Sequence, residues 1–249
     1  MENIWTKYNE EKINAMNVFC EDYKRFLSTH KTERECIEYT INVAEKNGFI
    51  NLEKAILENK KLKAGNKVYS VNMGKAILLM VIGSEPMVKG MNLIGAHIDS
   101  PRLDLKATPV YENNGLCLFD THYYGGIKKY QWTALPLAMH GVVVKKNGEK
   151  IKLVLGEDDS DFVFGISDLL PHLESKEKEN KKDIKGEDLN VLVGSIPDSN
   201  TKEKVNSLVL FYILVRTNPP LSPWKTLLFG ALYKDSGRCM VILCQQFTN

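Results

Sequence analysis

The chain has 249 residues, enough for one large domain or two modest ones with cores of their own. Its 43% hydrophobic and 26% charged residues, with 33 basic against 31 acidic side chains and a formal charge of +2, are ordinary for a globular protein. That balance, with no basic stripe interleaved with aromatics and no apolar run long enough to cross a bilayer, argues against nucleic-acid and membrane partners.

In chain order, the first predicted element is an amphipathic helix over Glu10–Ser28, where Ile13, Met16, Phe19, Cys20, Tyr23, Phe26 and Leu27 recur at helical spacing. Thr32-Glu-Arg-Glu35 matches a capping box and opens a second helix, which runs through Ile37, Ile41 and Ala44 to Asn47-Gly48. Lys67–Asn72 and Lys75–Ile82 read as a hairpin turning at Met73-Gly74. The apolar run Ala76–Ile82 lacks alternation, as expected of a strand covered on both faces. Gly83-Ser-Glu-Pro86 breaks it, and Asn92–Ala96 reads as a further buried strand. Side-chain alternation at its end would place His97 and Asp99 on one face.

From Ala107 the texture changes. Leu116–Thr121, Ala138–Lys145 and Lys150–Leu155 are short β-like runs with turns at Asn113-Asn-Gly115 and Asn147-Gly148, which suggests a small β-rich module. Ile166–Leu173 reads as a short helix or turn, and the charged stretch Lys176–Lys185 as a solvated face or loop. From about Val205 neither helical nor strand periodicity organises the chain, and Pro219, Pro220 and Pro223 break it up.

Few residues carry potential chemistry. His97 and Asp99 admit two readings: a metal-binding imidazole oriented by a carboxylate, or a hydrogen-bonded histidine at a strand end. In Thr121–Trp132, Gly125-Gly126 allows close backbone approach while His122, Tyr123 and Tyr124 crowd polar-tipped rings nearby, so either a turn or a binding loop fits. His172 lies in Pro171-His-Leu173, His140 reads as packing, and His30 as solvent-exposed. Glu157-Asp-Asp-Ser-Asp161 admits a hard-cation site or a solvated loop, and reads as the loop because it lacks the spacing and glycine of a calcium loop. No G-x-S-x-G, P-loop or G-x-G-x-x-G is present. Five cysteines without C-x-x-C spacing read as reduced thiols, and Met1-Glu-Asn-Ile-Trp5 has no signal-peptide character, so a cytoplasmic protein is expected.

Taken together, Gly95–Lys106, Thr121–Trp132, Leu135–Lys146, and Gly156–Asp159 with Ile166–Leu173 resemble the aspartyl aminopeptidase family of zinc metallopeptidases, in its bacterial branch. The resemblance implies an α/β fold: an α/β/α peptidase domain interrupted by a β-rich dimerisation domain, assembled into a homo-oligomer. On that pattern residues 1–106 form the N-terminal part of the peptidase domain, 107–205 the inserted domain, and 206–249 an atypical tail.

It also implies a site of two zinc ions that removes acidic or neutral N-terminal residues from peptides. The metals would polarise the scissile carbonyl and activate a water, with a glutamate as base. Carried over by position, His97 matches the first zinc ligand and Asp99 the catalytic carboxylate that supports it. His172 matches the histidine of the family's P-H-L motif, entered as a candidate metal residue. The family's remaining aspartates, glutamates and histidine follow the inserted domain. Tyr233–Cys239 matches that region too poorly to give Asp235 a role. A truncated or frame-disrupted form is therefore expected, and the alternative to a peptidase is an inactive fragment that retains only its capacity to associate.

Overall fold

The computed structural model describes residues 3–144, 148–161, 163–168 and 184–195, and the backbone of 239–245. It is mixed α/β, and the chain divides into two compact units, Met1–Ser100 and Pro101–Asn249.

In the first unit, helix α1 spans Glu10–Thr29 and is capped by the Asn9 side chain, which accepts from the Lys12 N–H. Its apolar face is where the periodicity predicts, but it is only partly covered: no residue of α1 is fully buried, Ile13, Met16 and Phe26 are half-buried, and Phe19 and Tyr23 are exposed. Helix α2, Glu33–Lys46, opens on the predicted capping box. The Glu35 N–H donates to Thr32 Oγ1, and Glu35 Oε2 accepts from the backbone N–H groups of Thr32 and Lys31. These orphan donors are thereby satisfied where Lys31, Thr32, Glu33 and Glu35 are all buried.

Strand β1 (Phe49–Asn51) and the short helix α3 (Leu52–Leu57) follow. Strands β2 (Lys67–Asn72) and β3 (Ala76–Val81) form the predicted hairpin. Met73 and Gly74 both take positive φ, 52° and 68°, and the Lys75 N–H donates to the Asn72 carbonyl. Two such central residues make a type I′ turn, whose twist suits paired strands. The sheet order is β1-β2-β3, with β1 parallel to β2. The expectation of a doubly covered strand at Ala76–Ile82 is corrected: β3 is an edge, and Leu78, Leu79 and Val81 are exposed.

The second unit is a six-stranded sheet. Its strands are β4 (Arg102–Asn113), β5 (Leu116–Tyr124), β6 (Leu137–Val144), β7 (Lys150–Leu155), β8 (Val191–Gly194) and β9 (Cys239–Gln245). Their order is β7-β6-β9-β4-β5-β8. The β4–β5 hairpin turns at Asn114-Gly115, again with both φ values positive. The pairing slips between Leu105 and Val110, where Pro109 has no N–H to give the ladder. Inner-face residues Leu103, Phe119, Leu137, Met139, Leu153 and Leu155 pack with Trp132, Phe164, Ile166, Leu189 and Val191 into the core. Thr121 Oγ1 donates to the Leu189 carbonyl, tying β5 to the segment before β8. Gly186 is there because the Tyr123 ring leaves no room: a Cβ would lie 2.5 Å from Tyr123 Cε1.

Of the tail from 206 onward, the described part is β9, which lies between β4 and β6 and pairs antiparallel with both. The expected helix or turn at Ile166–Leu173 is described only to Asp168, without regular structure. Lys176–Asp183 and Asn147 also lie outside the described residues.

Candidate metal centre around His97

The segment carrying His97 follows β3 through a short 3-10 turn at Met87–Lys89 that ends on Gly90, at a φ of 110°. The strand expected over Asn92–Ala96 is not formed; residues 90–100 have no regular structure. Its apolar character is real, but a strand also needs a neighbour for its N–H and C=O groups, and no described residue supplies a ladder here. Leu93 and Ile94, expected to be buried, are 77% and 96% exposed.

His97 and Asp99 nonetheless meet. His97 Nδ1 lies 3.1 Å from the Asp99 carbonyl oxygen and 3.2 Å from Asp99 Oδ1. The imidazole side chain is 85% exposed. When Nδ1–H donates to an oxygen in this way, the tautomer is fixed and Nε2 keeps its lone pair, as a metal ligand requires. Local sequence suffices for this contact, since only one residue separates the two.

A catalytic zinc takes three protein ligands and a structural one takes four. Among the described residues no group of three or more His, Cys, Asp or Glu side chains could hold a metal ion. His172, the other candidate, lies outside the described residues, as does Asp235. The donor set at His97 is thus one imidazole with its supporting carboxylate. Cys36 and Cys117 do not add to it: both are buried. Burial, then Glu35 and Glu33, raise the Cys36 thiol. Burial, then Glu112, push Cys117 up to about 11. Neither thiol presents a thiolate near neutral pH.

The remaining histidines have structural settings. His122 stacks on Tyr123, with ring centroids 5.3 Å apart. Gly125 takes a φ of 83°, a left-handed backbone that favours glycine, and a Cβ there would make only ordinary contact with Pro101, so the Gly-Gly pair serves the turn. His30, expected in solvent, is half-buried between Phe26 and Tyr39, at centroid distances of 5.1 and 4.7 Å. Arg102 is buried, with Nε donating to Asp104 Oδ1 at 2.8 Å and its guanidinium 3.9 Å from the Tyr124 ring centre.

The pair that sequence reasoning missed is His140 and Glu157. His140 sits on β6 with its Nε2 at 2.8 Å from Glu157 Oε1. Glu157 opens the loop read as fully solvated. There Asp161 Oδ2 also accepts from the Gly156 N–H at 2.9 Å, so the acidic run is partly organised by its own backbone. The available signal was a histidine inside the apolar run Leu137–Val144 with acidic residues after the next strand.

Comparison with known proteins places these features in a family. The model of the aminopeptidase I zinc metalloprotease family (M18) matches residues 26–219. A probable M18 family aminopeptidase 1 from Clostridium acetobutylicum is 50% identical over 212 residues, 84% of this chain and 46% of that protein. The crystal structure of an M18 aminopeptidase from Thermotoga maritima superposes with a TM-score of 0.83 at 35% identity, over 99% of this chain and 51% of the other. That of aminopeptidase I from Borrelia burgdorferi superposes with a TM-score of 0.79 at 36% identity, over 99% and 53%. The chain spans about half the length of the relatives it matches.

Proposed function

Since the chain belongs to the M18 family of aminopeptidases, we propose that it is an M18 metalloaminopeptidase polypeptide whose His97 is a zinc ligand positioned by Asp99. The observation that carries the proposal is the His97–Asp99 contact, in the motif where the family resemblance is densest. The exposed ring has room for a metal, and Asp99 holds it in one orientation. His172 is a further candidate by its motif alone.

On this reading the substrates are peptides with acidic or neutral N-terminal residues and the cofactor is zinc, two ions in the intact site. The compartment is the cytoplasm, in keeping with the free thiols of Cys20 and Cys36. Among the described residues no helix is long and apolar enough to cross a membrane. Residues 107–205 would serve as the inserted dimerisation domain of a homo-oligomer, supported by the β-rich second unit.

One imidazole does not fit a complete zinc site, so no catalytic step is assigned to this chain through the metal. What its residues do is orient Nε2 of His97 and hold its tautomer. A second reading is a non-catalytic chain that retains only association; the donor count behind it is that of the described residues. Elemental analysis of the purified chain, with hydrolysis of an aspartyl or glutamyl arylamide, separates the two. Zinc bound in proportion to protein and turnover lost in His97→Ala support the enzyme. Absent zinc and absent turnover leave association as the chain's capacity.

A further inference from the structure

We infer that Asn114, at the tip of the β4–β5 hairpin, is a site of covalent self-modification, at which its side-chain amide is lost to water and isoaspartate accumulates in the second unit. The inference depends on neither zinc binding nor peptidase activity.

The chain holds three Asn-Gly pairs, Asn47-Gly48, Asn114-Gly115 and Asn147-Gly148. In such a pair the backbone nitrogen of the glycine, on losing its proton to solvent, attacks the asparagine Cγ, and glycine has no Cβ to obstruct it. A C–N bond closes a five-membered imide, and the side-chain nitrogen leaves as ammonia with a proton from solvent. Water then opens either imide C–N bond. The product is aspartate or, with the main chain routed through the former side chain, isoaspartate. Nothing is oxidised or reduced, and water is the only co-reactant.

The fold decides which pair can react. The attack requires a free glycine N–H, a side chain able to swing, and rotation about the asparagine Cα–C bond. At the end of α2 all three are opposed. The Gly48 N–H donates to the Glu45 carbonyl at 3.0 Å, Asn47 Nδ2 donates to the Val43 carbonyl at 2.8 Å, and the Asn47 carbonyl accepts from Lys67 Nζ. At the hairpin tip none is. Asn114 and Gly115 are both exposed, and neither the Asn114 side chain nor the Gly115 N–H has a hydrogen bond among the described residues. A Cβ placed on Gly115 would meet nothing within 4 Å, so the flank is open to the moving side chain. Asn147 lies outside the described residues.

The two products differ in consequence. Aspartate keeps the type I′ turn, which Asp-Gly also forms. Isoaspartate adds a main-chain carbon to a two-residue turn closed by the Asn113–Leu116 pair, so the last pairs of the hairpin must yield. Glu112 pairs with buried Cys117 one step further in, and that thiol reports the loosening.

The test is to hold the full chain at pH 8 in EDTA and follow its peptides by mass spectrometry, with the isoaspartyl and aspartyl products resolved by chromatography. Amide loss at Asn114 should run at least about tenfold faster than at Asn47 in the folded chain, because Asn47 reacts only through local opening. In urea the two rates should converge. Aged protein should label faster at Cys117, in proportion to its isoaspartate content. The variant Asn114→Gly, which keeps a Gly-Gly turn, should age without that change. Equal folded-state rates at Asn114 and Asn47, a gap of the same size in urea, or aspartate without isoaspartate would overturn the inference. So would equal gains in Cys117 labelling in the parent and in Asn114→Gly.

Discussion

His140 Nε2 and Glu157 Oε1 lie 2.8 Å apart, with His140 buried and the Glu157 side chain 27% exposed. Side chains alternate along β6, so Leu137 and Met139 enter the core while His140 faces the other side of the sheet. An ionised carboxylate can only accept, so the Nε2–H donates. A buried histidine in an apolar strand is tolerated because this acceptor reaches it from the loop after β7.

Replacing His140 by Ala should destabilise the second unit by about 1.5–3 kcal/mol, the range for losing a hydrogen bond to a charged group. Glu157→Gln should cost less, because its amide oxygen still accepts. Urea unfolding followed through Trp132, with Trp5 and Trp224 changed to Phe, would measure both. Additivity of His140→Ala and Glu157→Ala would show the contact to be unimportant.

Leu103, near the start of β4, is fully buried in the core of the second unit. Leu103→Ala should cost about 2–5 kcal/mol, since the cavity adds to the lost transfer energy. The same fluorescence assay would register it as a lower urea midpoint with an unchanged slope.

At the start of α2, Thr32→Ala should cost about 0.5–2 kcal/mol by removing the acceptor for the Glu35 N–H. Glu35→Ala should cost more, because it strands the buried N–H groups of both Lys31 and Thr32. Hydrogen exchange in the first turn of α2 should accelerate in that order. Equal rates in both variants would contradict the reciprocal cap.

Cys117 provides a pH test. Its thiol rises from the ordinary 9.0 to about 11, chiefly through burial. Between those values the folded state keeps a proton that the unfolded state has released. The stabilisation is therefore whole below pH 9 and falls as pH rises towards about 11. Cys117→Ala should show a shallower loss of stability than the parent across that window. In single-cysteine variants at pH 8, exposed Cys20 should alkylate well before Cys117 or Cys36.

Much of the local structure was legible in the sequence. The Thr32–Glu35 box, the Met73-Gly74 and Asn114-Gly115 turns, and strands β2, β3, β5, β6 and β7 stand close to where the pattern puts them. His97 and Asp99 also meet, with a single residue between them, although the strand whose alternation was expected to bring them together is not formed. Each of these depends on neighbours a few positions away. The sequence by itself therefore determined the capping, the turns, the strand alternation and the motif by which the family resemblance appears.

Tertiary structure decided which apolar surfaces are covered, which of them pair, and what surrounds each histidine. Asn92–Ala96 has the composition of a buried strand and lies in the open, and α1 has an apolar face on which no residue is fully buried. His140, read as packing, has a carboxylate seventeen residues away as its partner, and Cys239–Gln245 enters the sheet between strands distant in sequence. The reason is physical. Periodicity records a side chain's preference to leave water, whereas burial and strand pairing require a second surface, and which surface that is depends on the path of the whole chain.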